Sequence, residues 1–136
     1  MVKQNRKVEQ VGAKKVLAKV EKGRGFLNIT HKVLSREDPT MLELTHQLFM
    51  HIMHERKALS LKIKELLVLA VNASHLYYTG TKAHMKLALQ AGATKEEVFE
   101  TLEVASWPAG IHVLRYCLPI YEEVMEEIKK GETQIK

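Results

Sequence analysis

The chain has 136 residues, of which 46% are apolar and 27% charged, with a formal net charge of +5 and a single cysteine. That length fits one folded domain with a substantial core, and no run approaches the roughly 18 apolar residues that a membrane span needs. One thiol excludes an internal disulfide and a dithiol redox pair within the chain. No charged leader followed by an apolar stretch marks a signal peptide, so the expected compartment is the cytoplasm.

The first 25 residues carry Lys3, Arg6, Lys7, Lys14, Lys15, Lys19, Lys22 and Arg24 against only Glu9 and Glu21, a net +6, so the remaining residues sum to −1. A basic leader can bind nucleic acid or anionic lipid through phosphates. Val8, Val11, Val16, Leu17 and Val20 nevertheless recur at near-helical spacing. That pattern favours an amphipathic helix docked on a partner surface over nucleic-acid binding.

No segment alternates with period two for long enough to make a strand, and no repeat is visible, so the chain reads as all-α, with about six to seven helices. The first helix is predicted over about 4–21, ended by the glycines of "KGRG". "FLNITHKVLS" is a short second element. Asp38-Pro39 is a turn signal, and a third helix runs from Pro39 or Thr40 to about Glu55. Ser60 is the predicted N-cap of "LKIKELLVLAVNASHLY", which is apolar on nearly every face after its first turn and so reads as a buried central helix. Thr79-Gly80-Thr81 is the predicted joint to a helix over about 82–90, which Gly92 ends. "TKEE" is a capping box pairing Thr94 with Glu97; the helix it opens reaches about Trp107, where Pro108 and Gly110 break it. A last helix runs to about Lys130 and is expected to kink at Pro119. The organisation is thus a basic amphipathic helix over 1–24, a helical domain over 25–130 and a frayed tail over 131–136.

Glu65 and Asn72 lie seven apart, two turns along one face of the central helix. Glu65 is either near the helix end and solvated, stabilised by the helix dipole, or buried with a partner and a functional candidate. His84 has Gly80 four residues before it and Ala88 four after, which leaves space beside an imidazole suited to acid–base work. The competing reading is a core histidine bonded to a backbone carbonyl or to Glu65. "HIMHE", with His51, His54 and Glu55 and with His46 upstream, is not HExxH, and two shared ligands do not make a site; no metal and no cofactor is expected. His112 and Tyr116, four apart, line a pocket or simply pack. Trp107 and the Met50/Met53 pair read as core or subunit-interface residues, and Cys117 as buried and inert.

Residues Leu61–Glu127 resemble the carboxymuconolactone decarboxylase family, which includes alkylhydroperoxidase D-like proteins, through "KELLVLAVNAS", "HMKLALQAGATKEEVFETL" and Ala109-Gly110. The resemblance implies an all-helical domain that forms homo-oligomers, commonly hexamers built as trimers of dimers. The family's peroxidase branch carries a glutamate, eleven intervening residues and then CxxCxxxH. Laid on this sequence, Glu65 and His84 take the glutamate and histidine places, while the two cysteine places hold Tyr77 and Gly80. Dithiol peroxide reduction needs a nucleophilic and a resolving thiol, so it is not expected here. The decarboxylase branch, which also lacks the pair, implies an acid–base enzyme acting on a small carboxylated or lactone substrate. His84 would then be oriented by Glu65, with Tyr77, Tyr78, Gly80 and His112 at the substrate. The alternative is a non-catalytic oligomeric or ligand-binding member whose Glu65–His84 pair is structural.

Overall fold

A computed structural model describes the backbone of residues 2–133 and the side chains from residue 12 onward. The side chains of Lys3, Arg6, Lys7, Val8, Glu9 and Val11, and the tail over 134–136, lie outside the described residues. What is described is helical, without a strand: α1 (Val2–Arg24), α2 (Ile29–Glu37), α3 (Pro39–Met50), a π-helical turn (His51–Glu55), α4 (Leu61–Ser74), α5 (Tyr78–Gln90), α6 (Lys95–Ala109) and α7 (His112–Lys129). The expectation of an all-α chain with six to seven helices is met among the described residues. No described helix is long and apolar enough to cross a membrane.

The helices group into two compact units, residues 1–57 and 58–136. Within the first unit, α1 packs on α2 and α3.

In the first unit, α1 runs three residues past its expected end at Glu21 and includes Gly23. A Cβ at Gly23 would fall 2.6 Å from His46 Cε1, so this glycine lets α3 approach α1 instead of ending the helix. The termination falls to Gly25, at φ 78, whose N–H donates to the Glu21 carbonyl at 2.9 Å. Asn28 caps α2 reciprocally: its Oδ1 accepts from the His31 N–H at 3.0 Å, while the Asn28 N–H donates to His31 Nδ1 at 3.3 Å. Asp38 caps α3 by accepting from the Met41 N–H at 2.9 Å, with Pro39 in the first turn.

In the second unit, α4 to α7 enclose one core, built on Leu69, Met85, Leu89, Leu102, Val113 and Val124. Ser60 caps α4 as expected, accepting from the Ile63 N–H at 3.3 Å. The Thr94–Glu97 box opens α6: the Glu97 N–H donates to Thr94 Oγ1 at 3.0 Å, and the Thr94 N–H to Glu97 Oε2 at 2.9 Å. Gly110, at φ 111, ends α6 one turn after Ser106, and Pro108 is accommodated in its last turn.

Two expectations are corrected here. First, α5 begins at Tyr78, not near Lys82, and the joint is His75-Leu76-Tyr77, with Gly80 inside the helix. The Leu76 N–H donates to Ala73 O and the Tyr77 N–H to Asn72 O, both at 3.0 Å, which closes α4 with a Schellman turn. Gly80 answers to packing, since a Cβ there would meet Tyr77 Cδ1 at 2.5 Å and Asn72 Nδ2 at 2.6 Å. Second, α4 is not buried all round. Lys64, Glu65, Leu69 and Ala73 are buried, but Ile63, Leu67 and Val71 are exposed.

The Glu65–His84 pair as candidate active site

Glu65 sits one turn into α4 on its buried face, and His84 lies midway along α5. The short joint folds α4 and α5 back on one another, and this hairpin brings the two side chains together: His84 Nδ1 and Glu65 Oε2 are 2.6 Å apart. The side chains are 5% exposed for Glu65 and 13% for His84. Of the two sequence readings of Glu65, the buried and partnered one holds. With the carboxylate accepting, the Nδ1–H is directed at Glu65 and the ring is held in one orientation, so Nε2 is the ring nitrogen not engaged by Glu65.

The other expected site residues divide. Gly80 is buried one turn before His84, with the Tyr77 ring and the Asn72 amide packed against it. Those two side chains fill the volume that a side chain at position 80 would need. Tyr78 turns toward α7, where its hydroxyl donates to Glu123 Oε2 at 2.5 Å. The carboxylate acceptor raises the Tyr78 pKa. His112 begins α7 and curls over Gly110, where a Cβ would fall 2.7 Å from its Nδ1. Contacts of α5 with Glu123 and Glu127 run α5 and α7 in the same direction. At about 1.5 Å per residue, His112 is then ~16 Å along α7 from the level of Glu123. Within one chain the structure therefore pairs Glu65 with His84 and packs Tyr77 on Gly80 one turn earlier in α5, and it leaves His112 apart from both.

Sequence reasoning missed a ladder that fixes α5. Lys82 bonds Glu123 at 2.5 Å and Glu127 at 2.6 Å, and Lys86 also pairs with Glu127. Burial disfavours the Lys82 ammonium, but its bonds to the two carboxylates outweigh that and raise its pKa. Lys82 and Tyr78 in turn hold Glu123 below the usual carboxylate range. The signal was present: Tyr78, Lys82 and Lys86 repeat every four residues, as do Glu123 and Glu127. Thr81 was missed as well. It is fully buried one turn before His84, and its hydroxyl has no hydrogen-bond partner among the described residues.

Elsewhere, the histidines of "HIMHE" do not converge. His51 Nδ1 pairs with Glu55 Oε2 at 2.8 Å on the surface, and the His54 ring sets its edge to Phe49, with centroids 5.7 Å apart. No group of three metal-ligating side chains occurs among the described residues. Cys117 is fully buried, and burial pushes its thiol up to about 11, so it is inert as read from sequence. Trp107 is 91% exposed and no part of the chain's core.

The model of the carboxymuconolactone decarboxylase family matches residues 39–123. The chain belongs to this family. Among solved structures, the chain is similar to a provisionally assigned carboxymuconolactone decarboxylase from Burkholderia xenovorans LB400. The TM-score is 0.75 at 19% identity, over 90% of this chain and 98% of that one. At that identity the likeness is one of fold. No curated protein matches. Family membership and the all-helical fold agree with the expectation from sequence. Cys117 is the chain's one cysteine, so the chain has no CxxC pair.

Proposed function

We propose that the protein is an acid–base enzyme of decarboxylase (lyase) type, acting on a small carboxylated or lactone substrate. His84 moves the proton and Glu65 orients it. The observation that carries this reading is the buried 2.6 Å contact between His84 Nδ1 and Glu65 Oε2, made across two helices. A carboxylate on one ring nitrogen sets the tautomer and stabilises the imidazolium, the arrangement general acid–base histidines use. In the proposed step the bond between the substrate carbon and its carboxylate breaks and CO₂ leaves. The electron pair delocalises into the lactone carbonyl, and the His84 Nε2–H gives its proton to the carbon. The imidazole then recovers a proton from water. Electrons balance within the substrate, so no redox partner enters.

The test is CO₂ release from a panel of carboxylated lactones. Wild-type protein turns over at least one member, and His84→Ala lowers kcat by about 100-fold or more while its melting temperature stays within a few degrees. The depth of burial of both partners favours one second reading, a structural pair in a non-catalytic ligand-binding or oligomeric protein. That reading gains if wild type turns over none of the panel and His84→Ala melts far lower, because removing one partner leaves a buried carboxylate uncompensated.

A further inference from the structure

Inside the first unit, three helices bring basic side chains together: Arg24 from α1, His31 from α2 and His46 from α3. The Arg24 guanidinium donates to the carbonyl of Thr45, the residue before His46, at 3.2 Å. Gly23 lets the His46 ring lie against α1, since a Cβ there would fall 2.6 Å from His46 Cε1. Burial first, then the charges of Arg24 and His46, hold the His31 pKa below its ordinary value. Both imidazoles are more than nine-tenths buried, at 6% exposed for His31 and 7% for His46. Polar nitrogens in this cluster lack partners: neither Arg24 Nε nor His46 Nδ1, both buried, has one among the described residues. His31 Nδ1 accepts from the Asn28 N–H at 3.3 Å, so the neutral ring carries its proton on Nε2 and offers a further donor.

A cation withdrawn from water is costly unless an anion accompanies it. No carboxylate pairs with Arg24 among the described residues, and burial lowers its pKa unopposed. Glu43, which acts on His46 along α3, is already bonded by Lys19 and by Gln47, each at 3.2 Å. We infer that the cluster binds one small oxyanion, a carboxylate or a phosphate, with Arg24 as its counter-ion and the His31 and His46 rings as flanking donors. A guanidinium presents paired N–H groups that match the oxygens of either anion. A metal ion does not fit, because Arg24 repels it and no three ligating side chains converge among the described residues. Access is at His46, which lines a cleft of about 570 Å³ together with Lys19, Glu43, Gln47 and Glu55 among others. The carboxylates at that entrance are each engaged, Glu43 by Lys19 and Glu55 by His51. All these groups lie in the first unit, so the site does not draw on the Glu65–His84 pair.

The test is an NMR titration of the histidine rings and a melting curve on the intact protein. Sodium phosphate or sodium acetate is added, with sodium chloride at equal ionic strength as the reference. One of the two oxyanions is expected to raise the titration midpoints of His31 and His46 by about 1 pH unit, because an adjacent anion favours the imidazolium. The response saturates, the melting temperature climbs with it, and the exposed His75 and His112 of the second unit stay put. The anion that saturates at the lower concentration tells a phosphate site from a carboxylate site. Arg24→Met is expected to abolish the saturable response with helicity unchanged. If chloride moves the two histidines as far, screening explains the effect and the proposal is overturned. It is overturned too if neither histidine moves, since the orphan nitrogens then hold water, or if the response survives in Arg24→Met. The wild-type titration decides the matter even if the variant fails to fold, because the ring signals locate the anion.

Discussion

At Leu76 the backbone takes φ 54, where side chains other than glycine are uncommon. The Schellman turn that closes α4 puts its C′ residue there, a place glycine usually holds, and a leucine in that region costs about 1–2 kcal/mol. The turn is what lets α5 start at Tyr78 and fold back along α4, and so what sets His84 opposite Glu65. Leu76→Gly and Leu76→Ala both remove the half-exposed side chain, so comparing them isolates the backbone. The glycine variant is expected to be more stable than the alanine variant by about 1 kcal/mol in denaturant unfolding, the reverse of their order within a helix. Gly80, four residues on, is the opposite case. It sits in ordinary helix and is required by the Asn72 and Tyr77 side chains against it.

At the scale of elements, the starts of α3, α4 and α6 were legible because capping chemistry is local, whereas α5, which has no side-chain cap, starts four residues before its expected place. Ser60, Asp38-Pro39 and the Thr94–Glu97 box each bind the amide that their spacing predicts. What was not legible depends on contacts between helices. Gly23 and Gly80 resemble terminators until the neighbouring helix is placed against them. The outer stripe of α4 likewise reads as a core face in the sequence, yet Ile63, Leu67 and Val71 are exposed in this chain. The first unit holds a cluster no local pattern marks: Arg24 from α1, His31 from α2 and His46 from α3. The Arg24 guanidinium donates to the Thr45 carbonyl at 3.2 Å and lies 4.4 Å from the Phe49 ring centroid. Both histidines are buried, and His46 Nδ1 has no hydrogen-bond partner among the described residues. Burial, and then the Arg24 charge, lower both histidine pKa values below 6.5. Glu43 opposes this at His46 and Lys19 adds to it, while His46 itself acts on His31. A lowered folded pKa means that the unfolded chain binds more protons, so stability falls as pH drops below 6.5 and levels off below the folded values. Protonation of His31 Nδ1 also removes the acceptor of the Asn28 N–H. Hydrogen exchange is expected to show α2 and α3 amides losing protection between pH 7.5 and 5.5, and His46→Met to shrink that loss.

For the whole molecule, the family and the all-helical architecture follow from residues 39–123 and the fold neighbour, while the chemistry rests on one pair of side chains. The chain has one cysteine, Cys117, and so no CxxC pair, and the reading proposed for its chemistry rests on Glu65 and His84. If these two act as one acid–base unit, their removal is not additive, because once His84 is gone Glu65 has nothing to orient. The direct test is a double-mutant cycle of Glu65→Gln and His84→Ala, read as kcat/KM for CO₂ release from the best carboxylated lactone of the panel. The account predicts that Glu65→Gln alone costs about 10- to 100-fold, that His84→Ala costs more, and that the double variant is no slower than His84→Ala. Losses that multiply in the double variant, or a Glu65→Gln protein that melts lower at undiminished kcat/KM, would contradict it.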